Sequence, residues 1–397
     1  MKIKTSIAIR VTLLISLMVS ATVVSSRLQA DSGTCGGVTT TLPFTDVTSS
    51  PFFCQIAEAY FSGLSNGTTA TTYSPGNNVT REQMAAFVTR TMDQSLKRGS
   101  RRAALDQYWS PVSSEFLELT AVGGAPGSVK SDGADLWVTN LGGDSVSRVR
   151  ASDGKLLETW TGAEAASAVL VSRGLIFVTG RTDPGSLYLI DPTQPVGAVT
   201  TLPFSLGAFP FSITFDGLRI WTANPQGGSV SLVILAGPGI VNTVTAGFTS
   251  PIGILYDGNN VWVTDDGPGT LLKLDSTGGI IQTVTVGTHP RYPVFDGTNI
   301  WVPNFGPSTV TVVRASTGAV LATLAGNGLN GPASAAFDGE RILVTNATGN
   351  SVSLWKASDL TPLGSVSTGS STTPLGACSD GLNFWITLQN TGKIARF

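Results

Sequence analysis

"NNVWVTDDGPGTLLKLDSTGG" occupies residues 259–279, and a closely similar phrase, "TNIWVPNFGPSTVTVVRASTGA", follows at 298–319. Working outward from Trp262, the same position is filled by Trp137, Phe177, Trp221, Trp301, Leu343 and Trp385. The successive intervals along the chain are 40, 44, 41, 39, 42 and 42 residues. An Asp-Gly precedes six of the seven, at 132–133, 216–217, 257–258, 296–297, 338–339 and 380–381, while the second unit has Arg173-Gly174 there. A Pro stands a few residues earlier at 126, 210, 251, 290, 332 and 374. Units of this length stack so that each buries its apolar face on its neighbours, so the seven read as one domain.

Each unit divides into four short strands. In the fourth unit these are "IGILY", "NVWVT", "LLKLD" and "IIQTVTV", with Asp257-Gly258 read as a two-residue hairpin turn. Apolar–polar alternation punctuated by Gly and Pro marks strands, and a period of about 40 with four strands per period selects propeller blades. The expected fold is all-β: a seven-bladed β-propeller over residues 115–397, preceded by a small helical module. The last unit stops after its third strand, at "TGKIARF", while "EFLELTAVGGAP" (115–126) reads as an orphan fourth strand. Pairing 117–122 with 393–397 would close the ring and remove an open sheet edge.

With "WVTN" at 137–140, the units resemble the surface-protein propeller repeats named for a Tyr-Val-Thr-Asn core. They also look similar to the propeller of streptogramin lyases, over residues 117–397. Many activities share this scaffold, so the resemblance speaks to fold more than to function.

Composition narrows the setting. The chain has 397 residues, 13% of them charged, and a net charge of −2, so no global field gathers nucleic acid or a membrane surface. At the start, Lys2, Lys4 and Arg10 precede the apolar stretch Val11–Val24, and Ala30 suits a cleavage site. That layout is a secretory signal peptide over residues 1–30, with an uncleaved anchor as the alternative. No other stretch is long and apolar enough to span a bilayer. The expected product is exported and soluble. Export permits a Cys35–Cys54 disulfide, although spacing alone leaves the pairing open, and Cys378 reads as a buried free thiol.

Residues 42–95 have a different character. "FFCQIAEAYFSGL" places Phe53, Ile56, Ala57, Tyr60 and Phe61 on one helical face. Thr80 with Gln83 forms a capping box that opens a second helix, whose buried stripe would be Met84, Phe87, Val88 and Met92. "FTDV" (44–47), "GLSNG" (63–67) and "YSPGNNVTREQMAAF" (73–87) resemble an S-layer homology motif. The resemblance implies attachment to cell-wall polymer or peptidoglycan, with Arg81 and Glu82 facing the ligand. Families that anchor this way usually carry three copies and this chain carries one, so a purely structural role stays open. Residues 96–114 form a linker, and its "KRGSRR" (97–102) is either a solvated segment or a contact for anionic polymer or lipid headgroups.

Chemistry is sparse on the propeller. The chain has one His, His289, and residues 117–397 hold four Glu. Streptogramin lyases use a pair of His with a Glu around a magnesium ion, a set that one His cannot build. Cys/His zinc ligation is likewise out of reach with these counts. Propeller topology puts His289, Arg291 and Tyr292 on the same face as Asp265 and Asp266, where a cation, a carboxylate, a sugar or a protein ligand could be met; an ordinary polar loop is the alternative. The residues ending the "WVT" cores are Asn140, Gly180, Asn224, Asp265, Asn304, Asn346 and Leu388. They read as turn initiators bonding their own backbone, or else as a polar ring around the channel mouth. The expected protein is a non-catalytic surface binding or scaffold propeller, with no cofactor, nucleic-acid partner or membrane span. The alternative is a divalent-cation-dependent enzyme of lyase or lactonase type.

Overall fold

The computed structural model describes residues 30–35, 38–61, 65–87, 118–235 and 240–397. The expected signal peptide and basic linker lie outside these residues, apart from Ala30. The chain divides into two compact units, 1–98 and 99–397.

The second unit is a propeller of seven four-stranded antiparallel sheets. Blade 4 is typical: Pro251–Tyr256 is innermost, followed outward by Val261–Asp265, Thr270–Leu274 and Ile280–Thr285. Blade 7 takes its outer strand from the start of the domain. Glu118–Ala121 pairs with Lys393–Arg396 in the register Glu118↔Arg396 to Ala121↔Lys393, as expected for a closed ring.

The repeated phrase is accounted for residue by residue. The Trp side chains at 137, 221, 262, 301 and 385 are fully buried. Trp262 packs with Leu255, Leu271 and Val284 of its own blade and with Ile300, Val302 and Val313 of the next. Its indole N–H donates to Asp257 Oδ2 at 2.7 Å, while Asp257 Oδ1 accepts from the amides of Asn259 (2.8 Å) and Asn260 (2.7 Å). The same clasp joins Asp132 to Trp137, Asp216 to Trp221, Asp296 to Trp301 and Asp380 to Trp385 at 2.8–2.9 Å. Where Leu343 replaces the indole, Asp338 binds the Arg341 guanidinium instead, at 2.9 Å. The turn differs slightly from the sequence reading. Asp257 N–H bonds Asn260 O, so the loop residues are Gly258 and Asn259, with Gly258 at φ +95° as the first of them. That is the Gly position of a type II′ hairpin, and Asp precedes the loop, where its side chain can cap it.

The Thr of the core joins neighbouring blades. Thr264 Oγ1 accepts from Gly253 N–H at the bulge of the innermost strand (2.8 Å) and donates to Arg291 O in the next blade (2.9 Å). Thr139 donates likewise to Ser167 O and Thr345 to Leu375 O, and Thr387 donates to Gly127 O at 2.9 Å, completing the circuit from blade 7 to blade 1. Cys378 is a buried free thiol, pushed up to about 12 by burial in the apolar seam between those two blades.

The first unit is built around Leu42, Phe44, Val47, Phe53, Ile56 and Ala57. A hairpin of Ser32–Cys35 and Val38–Thr41, not expected from sequence, is tied to the helix Phe53–Phe61 by the Cys35–Cys54 disulfide. Phe61 is 64% exposed, because positions 53, 56, 57 and 60 already take the core side of this short helix. The Thr80–Gln83 capping box forms reciprocally, with bonds of 2.9 and 3.2 Å. Met84 is 53% exposed and does not join a buried stripe, since the rings of Tyr60 and Tyr73 close over Phe44 instead. Val88 and Met92 lie outside the described residues.

Candidate functional site

The polar ring of core-ending residues turns out to be internal. Asn140, Asn224, Asp265, Asn304 and Asn346 are all 0% exposed. Asn304 Oδ1 accepts from Gly287 N–H in the connection from the previous blade (3.1 Å), and its Nδ2 donates to Thr309 and Thr311 hydroxyls on the third strand (3.1 and 2.8 Å). Asn140 and Asn346 repeat this with Ser145/Ser147 and Ser351/Ser353. These side chains therefore tie the blade-to-blade connection to the third strand, and do not bond their own turn as the sequence reading had it. Asp265 is the informative variant. A carboxylate only accepts, and this one takes the amides of Thr249 (2.8 Å) and Ser250 (2.6 Å), with Leu272 standing where the four Asn blades place a hydroxyl. Asp265 is thus engaged inside the blade and does not join the candidate ligand face.

The other residues of that face do converge. His289 Nδ1 lies 3.2 Å from Asp266 Oδ1, and Arg291 Nη1 lies 4.0 Å from the same oxygen. Arg291 also stacks over Phe305, 5.3 Å from the ring centroid. The backbone fixes the arrangement: Arg291 N–H bonds Pro303 O and Phe305 N–H bonds His289 O, pinning the connection against the "WVPN" strand. His289 is more than half exposed, so the imidazole–carboxylate–guanidinium group is open to solvent. Among the described residues, no group of three or more His, Cys, Asp or Glu is placed to hold a metal ion.

Tyr292 faces a different space. It lines the central channel, a cavity of about 100 Å³ bounded by the innermost strands of all seven blades. With it at the channel mouth are Leu141, Arg181, Phe211 and Gln389. Arg181 stacks on Phe211, 3.9 Å from the ring centroid. Burial draws the Arg181 pKa down and pushes that of the Tyr292 hydroxyl up. Sequence reasoning missed Arg181 and Phe211. The signal was present in the aligned repeats: the residue after each core is Leu141, Arg181, Pro225, Asp266, Phe305, Ala347 and Gln389, with one cation among them.

In the first unit, Asp46 of "FTDV" accepts from Tyr73 N–H (2.8 Å) and Ser74 N–H (2.7 Å), fixing the loop that leads to "TRE". Arg81 and Glu82 follow the Thr80 cap and are exposed. "GLSNG" also spells the nucleophile-elbow pattern G-x-S-x-G, but Ser65 is buried with its hydroxyl 3.0 Å from that of Tyr73, an internal role.

Comparison with known proteins divides along the same line. The family model described as "S-layer homology domain" matches residues 43–85. No curated protein matches the chain in sequence. Among solved structures, a streptogramin B lyase is 17% identical with a TM-score of 0.59, covering 71% of this chain and 96% of its own. Virginiamycin B lyase from Staphylococcus aureus is 18% identical with a TM-score of 0.60, covering 70% of this chain and 98% of its own. The Kuenenia stuttgartiensis hydrazine synthase structure is 18% identical with a TM-score of 0.58, covering 69% of this chain and 95% of its own. At these identities the likeness shows the propeller fold, and the names attached to it differ widely in chemistry. The chain therefore carries an S-layer homology domain, a type that implies cell-surface association, ahead of a seven-bladed propeller.

Proposed function

We propose that this is an exported cell-surface protein, held to a cell-wall polymer by residues 43–85, whose propeller binds or scaffolds without catalysing a reaction. The observation that carries the anchoring half is the S-layer homology match, together with the way Asp46 and the Thr80 cap present Arg81 and Glu82 at an exposed helix start. An anion is favoured at such a terminus and a guanidinium beside it adds a bidentate donor. The binding half rests on the open His289–Asp266–Arg291 group, which suits hydrogen bonding to a sugar or an acidic group.

Sedimentation with purified wall material tests the anchor. Arg81→Ala should reduce the bound fraction of the full chain several-fold while leaving its circular dichroism unchanged. Unchanged sedimentation would move attachment away from this motif. A second reading, a divalent-cation-dependent lyase or lactonase-type propeller, is favoured by one observation, the His289–Asp266 contact at the channel-mouth face. Turnover of a streptogramin or lactone that is lost in His289→Ala and on adding a chelator would establish that reading and displace the non-catalytic one.

A further inference from the structure

The charge of the central channel is unlike that of the rest of the molecule. The chain is net negative, yet the described residues lining the channel include Arg181 and Lys130 and no Asp or Glu. Three other partly buried arginines of the propeller have carboxylates: Arg148 lies 2.7 Å from Asp135, Arg219 3.2 Å from Asp216, and Arg341 2.9 Å from Asp338. Among the described residues Arg181 has only the face of Phe211, and its Nε is buried without a hydrogen-bond partner. Buried guanidinium donors are ordinarily satisfied, because an unmet donor costs its full desolvation. Stacking uses the faces of the group and leaves the in-plane edge, where the N–H donors point, for something else.

We propose that the channel mouth is a binding site for a small oxyanion group, a carboxylate or a phosphate, held by the in-plane donors of Arg181 with Tyr292 as a second donor. Tyr292 lines the same cavity and is electrostatically coupled to Arg181, and burial keeps its hydroxyl protonated and able to donate. Ser128, Ser167, Ser212 and Ser334 add hydroxyl-bearing residues to the wall. A cavity of about 100 Å³ has room for the few atoms of a carboxylate or phosphate group. The three residues that make the site, Arg181, Phe211 and Tyr292, come from blade 2, the start of blade 3 and the start of blade 5, so only the closed ring assembles it. The site is separate from the wall-anchoring reading and does not depend on it.

The probes are acetate and inorganic phosphate, titrated into the ¹⁵N-labelled full chain at fixed pH and at ionic strength held constant with chloride. The readout is the Arg181 Nε–H resonance, assigned by its loss in Arg181→Lys. The expected result is a saturable shift in the millimolar range with at least one probe. Calorimetric affinity should then be at least about tenfold weaker in Arg181→Gln and about threefold weaker in Tyr292→Phe, and unchanged in Arg173→Gln. Saturation by acetate alone assigns a carboxylate ligand and by phosphate alone a phosphate ligand. A shift that never saturates with either probe, or equal affinity in Arg181→Gln, overturns the proposal. If Arg181→Gln and Tyr292→Phe fail to fold, the wild-type titration of the resonance assigned with Arg181→Lys decides the matter.

Discussion

Blade 4 and blade 2 have the same four strands in the same order and share the core Thr contact and the Asp–Thr turn after the third strand, yet they part at the hairpin clasp and at the end of the core strand. Blade 4 has Asp257 clasping its own hairpin and the Trp262 indole, and Asp265 fastening the incoming connection. Blade 2 has Arg173 and Phe177 in the first pair of places, so neither the acceptor nor the indole donor exists. At the Asp265 position it has Gly180, and the ring of Tyr188 fills the space, leaving a Cβ there 2.7 Å from the ring. Leu388 in blade 7, packed in one apolar cluster with Ala395 of the next strand, is a further solution at that position. The substitutions come in matched pairs: Asn with Ser or Thr, Asp with Leu, Gly with Tyr, Leu with Ala. Residues repeated from blade to blade are therefore engaged in holding blades together, and the blade that abandons them is the one that sends Arg181 into the channel.

The comparison presumes a closed ring, and opening it has the largest expected effect. Removing residues 115–123 leaves Lys393–Arg396 as a bare edge in blade 7. Calorimetry should show a broadened, less cooperative transition with its midpoint lowered on the order of 10 °C. A deletion that melts like the parent would show that closure contributes nothing.

Next comes the clasp. Asp257→Ala removes an acceptor used by two amides and a buried indole N–H, at an expected cost of about 2–4 kcal/mol in denaturant unfolding. At the matching place in blade 2, Arg173→Ala loses a bond to Gly217 O and a stacking contact with Phe215, for about 1 kcal/mol or less. Equal costs would dissolve the distinction between the two blades.

Asp265→Asn sharpens it from the other side. The new amide N–H₂ would replace an oxygen that accepts from a backbone N–H. Although Thr270 opposite it carries a hydroxyl unpartnered among the described residues, the amide would meet Leu272 where Asn140, Asn224, Asn304 and Asn346 have a second hydroxyl, costing about 1–3 kcal/mol. Adding Leu272→Ser should recover part of that loss, a coupling measurable as a double-mutant cycle.

The smallest effect is on acid stability. Asp132 and Asp216 are both pushed up by burial, but hydrogen bonds from neighbouring amides and from the Trp137 and Trp221 indoles outweigh it and hold them below the ordinary 3.8. Folded, they bind fewer protons than unfolded near that pH, so their contribution is present in full above about pH 4 and drains away as pH falls through 3.8 toward the folded values. Asp132→Asn should flatten the fall in stability between about pH 4 and pH 2, and an unaltered slope would deny the clasp any role in it.

The fold was legible because its signals are local. Alternation in "NVWVT" and Gly/Pro punctuation are read within one strand and one turn, and the orphan strand at 118–121 was visible as a missing partner at the other end. The first-unit hairpin was not, since "SGTC" and "VTTT" are four residues each and carry no alternation. Nor was the engagement of Asp265, whose partners lie 15 and 16 residues back in a connection with no regular structure. His289, Arg291 and Asp266 were brought together as topology required, and Tyr292 went into the channel instead because it occupies a position that is Ser, Gly or Ala in the other blades. Arg181 shows only as an exception in the aligned repeats, and an exception has meaning once the rule it breaks has a physical reason.

The strand that closes blade 7 is also the first part of the propeller that the chain reaches after its N-terminal unit. If that unit is held fast and the propeller is dragged by whatever it grips, tension travels along the backbone to Glu118 and is resisted first by four residue pairs, Glu118 to Ala121 against Arg396 to Lys393. How long such a joint survives under load is set by its rate of opening and not by the equilibrium stability of the whole domain. The ring would thus give way at its own fastening, losing the outer strand of one blade and the seam behind it, while the other six sheets remained folded and able to take the strand back when the load is released.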